Sequence, residues 1–190
     1  MGGVQWRPGP RVAAALGVGG LLWFGLALYA YGGLYLSRHD GDGSLPVQGL
    51  VGALAGLLLT ALLSGLVLVV HELLHALVFR LLGHRVAFRP RSGLFASLVE
   101  VVEPAYVSRA GFVVATLTPV VVLGAAAAAA VLWAPYGEWW IVPGAAGVAH
   151  SSCDVATAAV AAGLRPGARV QPTVSGLVAR TAEPGPDAVH

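Results

Sequence analysis

Four long apolar stretches dominate the chain, at about 12–36, 47–82, 111–134 and 139–164, with most polar residues gathered in the segments between and after them. Each stretch exceeds the roughly 20 residues that an α-helix needs to cross a hydrocarbon core about 30 Å thick. The pattern therefore predicts four membrane-spanning helices. Turn-forming residues fill two of the connections, HDGDGSLP after the first stretch and APYGE between the third and fourth. The first stretch is too long for the apolar core of a signal peptide, and no small-x-small cleavage pattern follows it, so it reads as a retained anchor.

The connection between the second and third stretches has a different pattern. Two β-prone runs, Val86 to Phe88 and Leu94 to Val102, flank Ser92 and Gly93 and predict a short β-hairpin. The competing reading is an amphipathic loop lying on the membrane, because Pro90 weakens the first run. The expected fold class is an all-α membrane protein of about four transmembrane helices with this short hairpin between helices two and three. Residues 1–164 would form the polytopic domain. Residues 165–190 mix Pro, Gly and polar side chains without helical period and read as a mostly flexible cytoplasmic tail.

Composition agrees with a bilayer setting. Hydrophobic residues make up 57% of the 190 and charged residues only 11%, against about 25% charged in ordinary soluble domains. All eleven basic residues are arginine, and Ala, Gly, Val and Pro abound, which points to GC-rich coding and a bacterium. The formal charge of +2 and the scattering of the arginines exclude nucleic acid as a partner. The single cysteine, Cys153, excludes an intramolecular disulfide and reads as a small packing residue.

The arginines also set the orientation. Arg7 and Arg11 precede the first stretch, and Arg80, Arg85, Arg89, Arg91 and Arg109 lie around the connection between the second and third. Arg165, Arg169 and Arg180 follow the fourth, and Arg38 alone lies on the opposite side, giving ten against one. Because cytoplasmic flanks are enriched in basic residues, both termini are expected in the cytoplasm, with Trp133, Trp139 and Trp140 at the outer interface.

Within the four stretches the only carboxylates are Glu72 and Asp154, and the only histidines are His71, His75 and His150. Ionisable groups at membrane depth cost at least a few kcal/mol each and persist where they pair, bind an ion or face a water-filled cavity. Positions i and i+4 of a helix differ by about 40° of rotation, so His71 and His75 share a face and their ring nitrogens can converge on one zinc ion. Glu72 then stands beside the open coordination position, which is the mechanical content of HExxH. In a soluble helix such a motif is often a coincidence of the surface, but in hydrocarbon a coincidental His-Glu-His set carries a penalty.

Catalytic zinc usually takes three protein ligands, so a third is needed. Asp154 is the remaining intramembrane carboxylate. His75 lies five residues before Arg80 and Asp154 eleven before Arg165. At 1.5 Å per residue the depths differ by about 9 Å, within the slack of tilt and snorkelling. His150, four residues before Asp154, is expected on the same face as a partner that orients a ligand or a donor to a developing oxyanion, or else as a fourth ligand that closes the site.

These residues resemble an intramembrane metalloprotease of the site-2-protease type, and more closely the compact bacterial family called putative zincin peptidases. The resemblance covers about Leu66 to Val155 and is carried by HELLHALVF, the following RLLG, LTPVVVL at Leu117 to Leu123, and HSSCD. It implies that His71, His75 and Asp154 bind Zn2+ and that Glu72 is the general base. The larger site-2 proteases carry Asn-x-x-Pro ahead of a Leu-Asp-Gly motif. Here Cys153, Asp154 and Val155 stand where Leu, Asp and Gly would be, and His150 occupies the upstream polar position.

The expected function is zinc-dependent hydrolysis of peptide bonds in membrane-embedded or membrane-associated protein substrates, near the cytoplasmic face of a bacterial cytoplasmic membrane. A substrate must be extended before attack, and an edge strand of the hairpin offers a template for that. The alternative is a noncatalytic multi-pass protein with a structural or ion-transfer zinc site. A closed site with His150 bound would favour the alternative, and an open position facing Glu72 the peptidase.

Overall fold

A computed structural model describes residues 3–40, 49–88, 99–103, 106–173 and 176–180 and is mostly helical. In chain order the elements are β1 (Gly3–Trp6), α1 (Pro10–Arg38), α2 (Gly49–Leu81), β2 (Arg85–Phe88), β3 (Val99–Glu103), β4 (Val107–Ser108), α3 (Arg109–Trp133), α4 (Ile141–His150), α5 (Ser152–Ala162), β5 (Arg169–Thr173) and β6 (Gly176–Arg180). Helices α1, α2 and α3 are each long and apolar enough to cross a membrane. Leu50, Val51, Leu54, Leu57, Leu58 and Leu62 of α2 are all more than half exposed. An apolar surface of that extent is tolerated in lipid and not in water, so the chain is a membrane protein.

The fourth apolar stretch departs from the expected single helix. It folds as two shorter helices, α4 and α5, separated at Ser151. The Ser151 hydroxyl donates to the Gly147 carbonyl at 3.0 Å, and its backbone N–H reaches the same carbonyl at 3.3 Å. A serine that bonds the carbonyl four residues back bends or interrupts a helix, and hydropathy carries no record of it. The common face expected for His150 and Asp154 presumed one regular helix, whereas the assigned helix is interrupted at Ser151 between them.

The expected hairpin between the second and third helices is present as two antiparallel strands, β2 and β3, paired Val86 to Val101 and Phe88 to Val99. Its turn at Ser92 and Gly93 lies outside the described residues. The entry into it is set by the end of α2. His84 N–H donates to Phe79 O at 3.0 Å and Gly83 N–H to Arg80 O at 2.9 Å, with Gly83 at φ +86°. That is a Schellman cap, and the left-handed conformation at its centre is the one glycine adopts without penalty.

The chain divides into two compact units, and α2 and α3 each run through both. The first comprises Met1–Ala13, Glu72–Thr118 and Cys153–His190. It holds a four-stranded antiparallel sheet in the order β1-β6-β5-β4. Leu177 and Ala179, two residues apart on one face of β6, are fully buried with Val170 of β5 and Val107 of β4, in a cluster with Phe79, Phe112 and Ala161 from the helices. The tail expected to be mostly flexible thus supplies β5 and β6, a correction that extends to Arg180. Residues 181–190 lie outside the described residues. Pro172 is tolerated in β5 because β4 pairs only with Arg169 and Val170, which leaves the proline opposite β6 alone.

The second unit, Ala14–His71 and Pro119–Ser152, centres on Tyr31 and Tyr35 of α1, Val131 of α3 and Ala145 of α4. The Tyr31 hydroxyl donates to the Gly124 carbonyl at 3.1 Å, which satisfies its polar tip inside an apolar cluster. Gly147 of α4 meets Val67 of α2 so closely that a Cβ there would stand 2.8 Å from Val67 Cγ1. Only glycine lets the two backbones approach to that extent.

Candidate metal centre

Helix α2 carries an apolar sequence in which His71, Glu72 and His75 are buried while most of its leucines are exposed, the reverse of a helix in water. His71, Glu72 and His75 are 1%, 8% and 7% exposed. His71 and His75 lie one turn apart on this unbroken helix, and a ligand-capable atom of each lies within 4.8 Å of one on the other. All three are groups able to bind a metal ion.

In the first unit His75 is held from two sides. Its Nδ1 lies 2.8 Å from the backbone carbonyl of Ala115 on α3, and Nε2 lies 3.5 Å from Oδ2 of Asp154 on α5. A carbonyl oxygen only accepts, so Nδ1 carries a proton, and in the neutral ring Nε2 then presents a lone pair to the carboxylate. Two acceptors facing each other in a buried place require a cation or a proton between them.

Zinc fits that requirement. For metal–ligand bonds of 2.0 to 2.2 Å in tetrahedral geometry, neighbouring ligand atoms stand about 3.4 Å apart, close to the separation of Nε2 and Oδ2. The donor set of imidazole nitrogen and carboxylate oxygen is also zinc's own, and an Nδ1–H bonded to a backbone carbonyl is the usual way a ligating histidine is oriented.

Asp154 sits in the first turn of α5, where the unpaired N–H groups of a helix favour negative charge. The opposite end of α5 is anchored by Arg109 at the start of α3. Its Nη1 donates to the Leu164 carbonyl at 2.6 Å and to the Ala162 carbonyl at 3.4 Å. A guanidinium on the last carbonyls both satisfies them and complements the dipole.

In the second unit His150, the last residue of α4, meets His71 edge to face, with ring centroids 4.9 Å apart and planes at 81°. Metal-capable nitrogens of the two imidazoles lie within 4.8 Å of each other. Of the residues singled out in the sequence, the structure brings His75 to Asp154 in the first unit and His71 to His150 in the second, with Glu72 next to His71 on α2. The carbonyl of Ala115 was not anticipated, since a backbone acceptor has no letter of its own. The signal that could have found it was a proline four residues later.

Buried imidazoles one turn apart with an adjacent glutamate, in an apolar helix, define a zincin-type metal centre in a membrane protein. The chain belongs to the putative zincin peptidase family, whose model matches residues 64–165. The matched region runs from α2 through α5 and so includes every residue of the centre. Membership implies zinc as the cofactor and a metallopeptidase as the class. No curated protein and no solved structure matches the chain.

Proposed function

We propose that this protein is a zinc-dependent intramembrane peptidase of the site-2-protease kind, hydrolysing peptide bonds of membrane-embedded or membrane-associated proteins near the cytoplasmic face of a bacterial membrane. The observation that carries the reading is the double hold on His75, with Nδ1 committed to Ala115 and Nε2 turned to Asp154. In this reading His71, His75 and Asp154 hold the metal, and Glu72 remains available for proton transfer. Zinc bound there supplies Lewis-acid polarisation and makes water acidic enough to deprotonate near neutral pH.

The chain's own residues do the rest. Glu72, buried beside the histidines, takes a proton from the attacking water and returns it to the leaving amine. His150, at the edge of the His71 ring, is placed to donate to the oxygen that gains charge on attack. The strands β2 and β3 offer backbone edges on which a substrate segment can be held extended.

The orientation is supported by the sheet. Strand β1 precedes α1, β4 precedes α3 and β5 follows α5, and all three share one sheet. A sheet of this kind lies on one side of a bilayer, so the chain returns to that side after α2 and again after α5. The broken pair α4 and α5 then completes a fourth crossing. In the sequence ten of the eleven arginines fall in the segments assigned to that side, which supports reading it as the cytoplasmic one.

X-ray absorption at the zinc edge of purified protein tests the ligand set. The expected first shell is two imidazole nitrogens and one carboxylate, with a further light atom from solvent. Three imidazoles with no exchangeable position would overturn the peptidase reading in favour of a structural site.

A further inference from the structure

Helix α3 has a proline in its interior, Pro119, and that proline is fully buried. In a regular helix the N–H of residue i donates to the carbonyl of residue i−4. Proline has no N–H, and its ring crowds that same carbonyl. For Pro119 the carbonyl concerned is that of Ala115, the one that accepts Nδ1–H of His75 at 2.8 Å.

The surrounding residues sharpen the contrast. Thr116 and Thr118 turn their hydroxyls back along α3, to Phe112 O at 2.8 Å and Val114 O at 2.7 Å. Those carbonyls are served within their own helix, whereas Ala115, itself wholly buried, sends its carbonyl across to α2. In a membrane-buried helix a carbonyl deprived of its regular donor has to be satisfied by a neighbour.

We propose that Pro119 is a positioning residue for His75. By withholding the backbone N–H that Ala115 O would otherwise accept, it reserves that carbonyl for Nδ1–H and so keeps Nε2 as the lone pair facing Asp154. The proposal rests on the reading of His75 as a metal ligand. It explains why the residue that costs a helix interior the most stands in α3. With alanine at position 119 an in-helix N–H competes for the carbonyl, which weakens and redirects the bond to the ring.

The test is Pro119→Ala in the full chain, purified in detergent beside His75→Ala. Three quantities are measured: zinc affinity by competition with a chelator of known strength, the nitrogen chemical shifts of the His75 ring in zinc-free protein at about pH 8, where a free imidazole is neutral, and the melting temperature of the zinc-free form. Pro119→Ala is expected to weaken zinc binding about tenfold or more, the range seen when a partner that orients a ligand is lost. It should also shift the ring from an Nδ1–H form to a mixture of tautomers, without lowering the melting temperature. Weakened zinc with an unchanged tautomer would assign Pro119 a general structural role and overturn the proposal. If His75→Ala loses zinc and Pro119→Ala binds it as the wild type does, the positioning role alone falls. If His75→Ala binds zinc normally, the ligand assignment itself falls, and the proposal with it.

Discussion

Oδ2 of Asp154 lies 3.5 Å from Nε2 of His75, bringing together side chains from the second and the fourth of the chain's apolar stretches. With Nδ1 donating to Ala115 and the carboxylate ionised, Nε2 and Oδ2 can share a proton or a cation, and the zinc reading takes the cation. Asp154→Asn keeps the shape and removes the charge. Zinc affinity should fall about tenfold or more, and Asp154→Ala should be worse, as read by metal content after dialysis against a chelator. Unchanged zinc in both variants would remove Asp154 from the ligand set.

His150 separates the catalytic from the structural reading. His150→Phe preserves an aromatic ring against His71 but has nothing to donate. Zinc should stay at the wild-type level while turnover drops about 100-fold, the scale of losing one oxyanion donor. Loss of zinc instead would make His150 a fourth ligand and the centre a closed one.

Leu177 tests whether the C-terminal strands belong to the fold. It is fully buried in the sheet cluster, so Leu177→Ala should cost about 3 kcal/mol through lost transfer energy and a residual cavity. The expected readout is a lowered melting temperature and raised protease sensitivity. A flexible tail predicts no change in either.

The features that could be read from the sequence are those written in hydropathy and in single letters. Three spans follow from apolar length, and the histidines and Glu72 stand out because lipid penalises them. Asp154 stands out by elimination, and about half of the depth mismatch of about 9 Å comes from treating Arg165 as a helix end when α5 stops three residues earlier, at Ala162. What was missed depends on hydrogen bonds between parts of the chain far apart in sequence. The break at Ser151 is a hydroxyl competing for a carbonyl, and β5 and β6 are short, contain Pro172, and acquire their pairing from the N-terminal β1 and from β4. Local composition, rich in Pro and Gly, pointed the other way.

The membrane orientation can be checked by reporter fusions after Arg38, after Pro135 and after Arg180. The first two should report the outer side and the last the cytoplasm. A cytoplasmic signal after Arg38 would contradict the arginine count, and an outer signal after Arg180 would mean that α4 and α5 do not jointly cross.

The most direct measurement compares wild type with Glu72→Gln in proteoliposomes carrying a mixed panel of single-span peptides, with zinc determined by elemental analysis and products by mass spectrometry. Glutamine keeps the size and hydrogen-bonding capacity of the side chain but does not serve as the base that takes the proton from water. Both proteins should hold equal zinc, and the variant should lose at least about 100-fold in cleavage, the lower range for general acid–base assistance. Equal zinc with equal cleavage would contradict the assignment of Glu72 and with it the peptidase mechanism built on this centre.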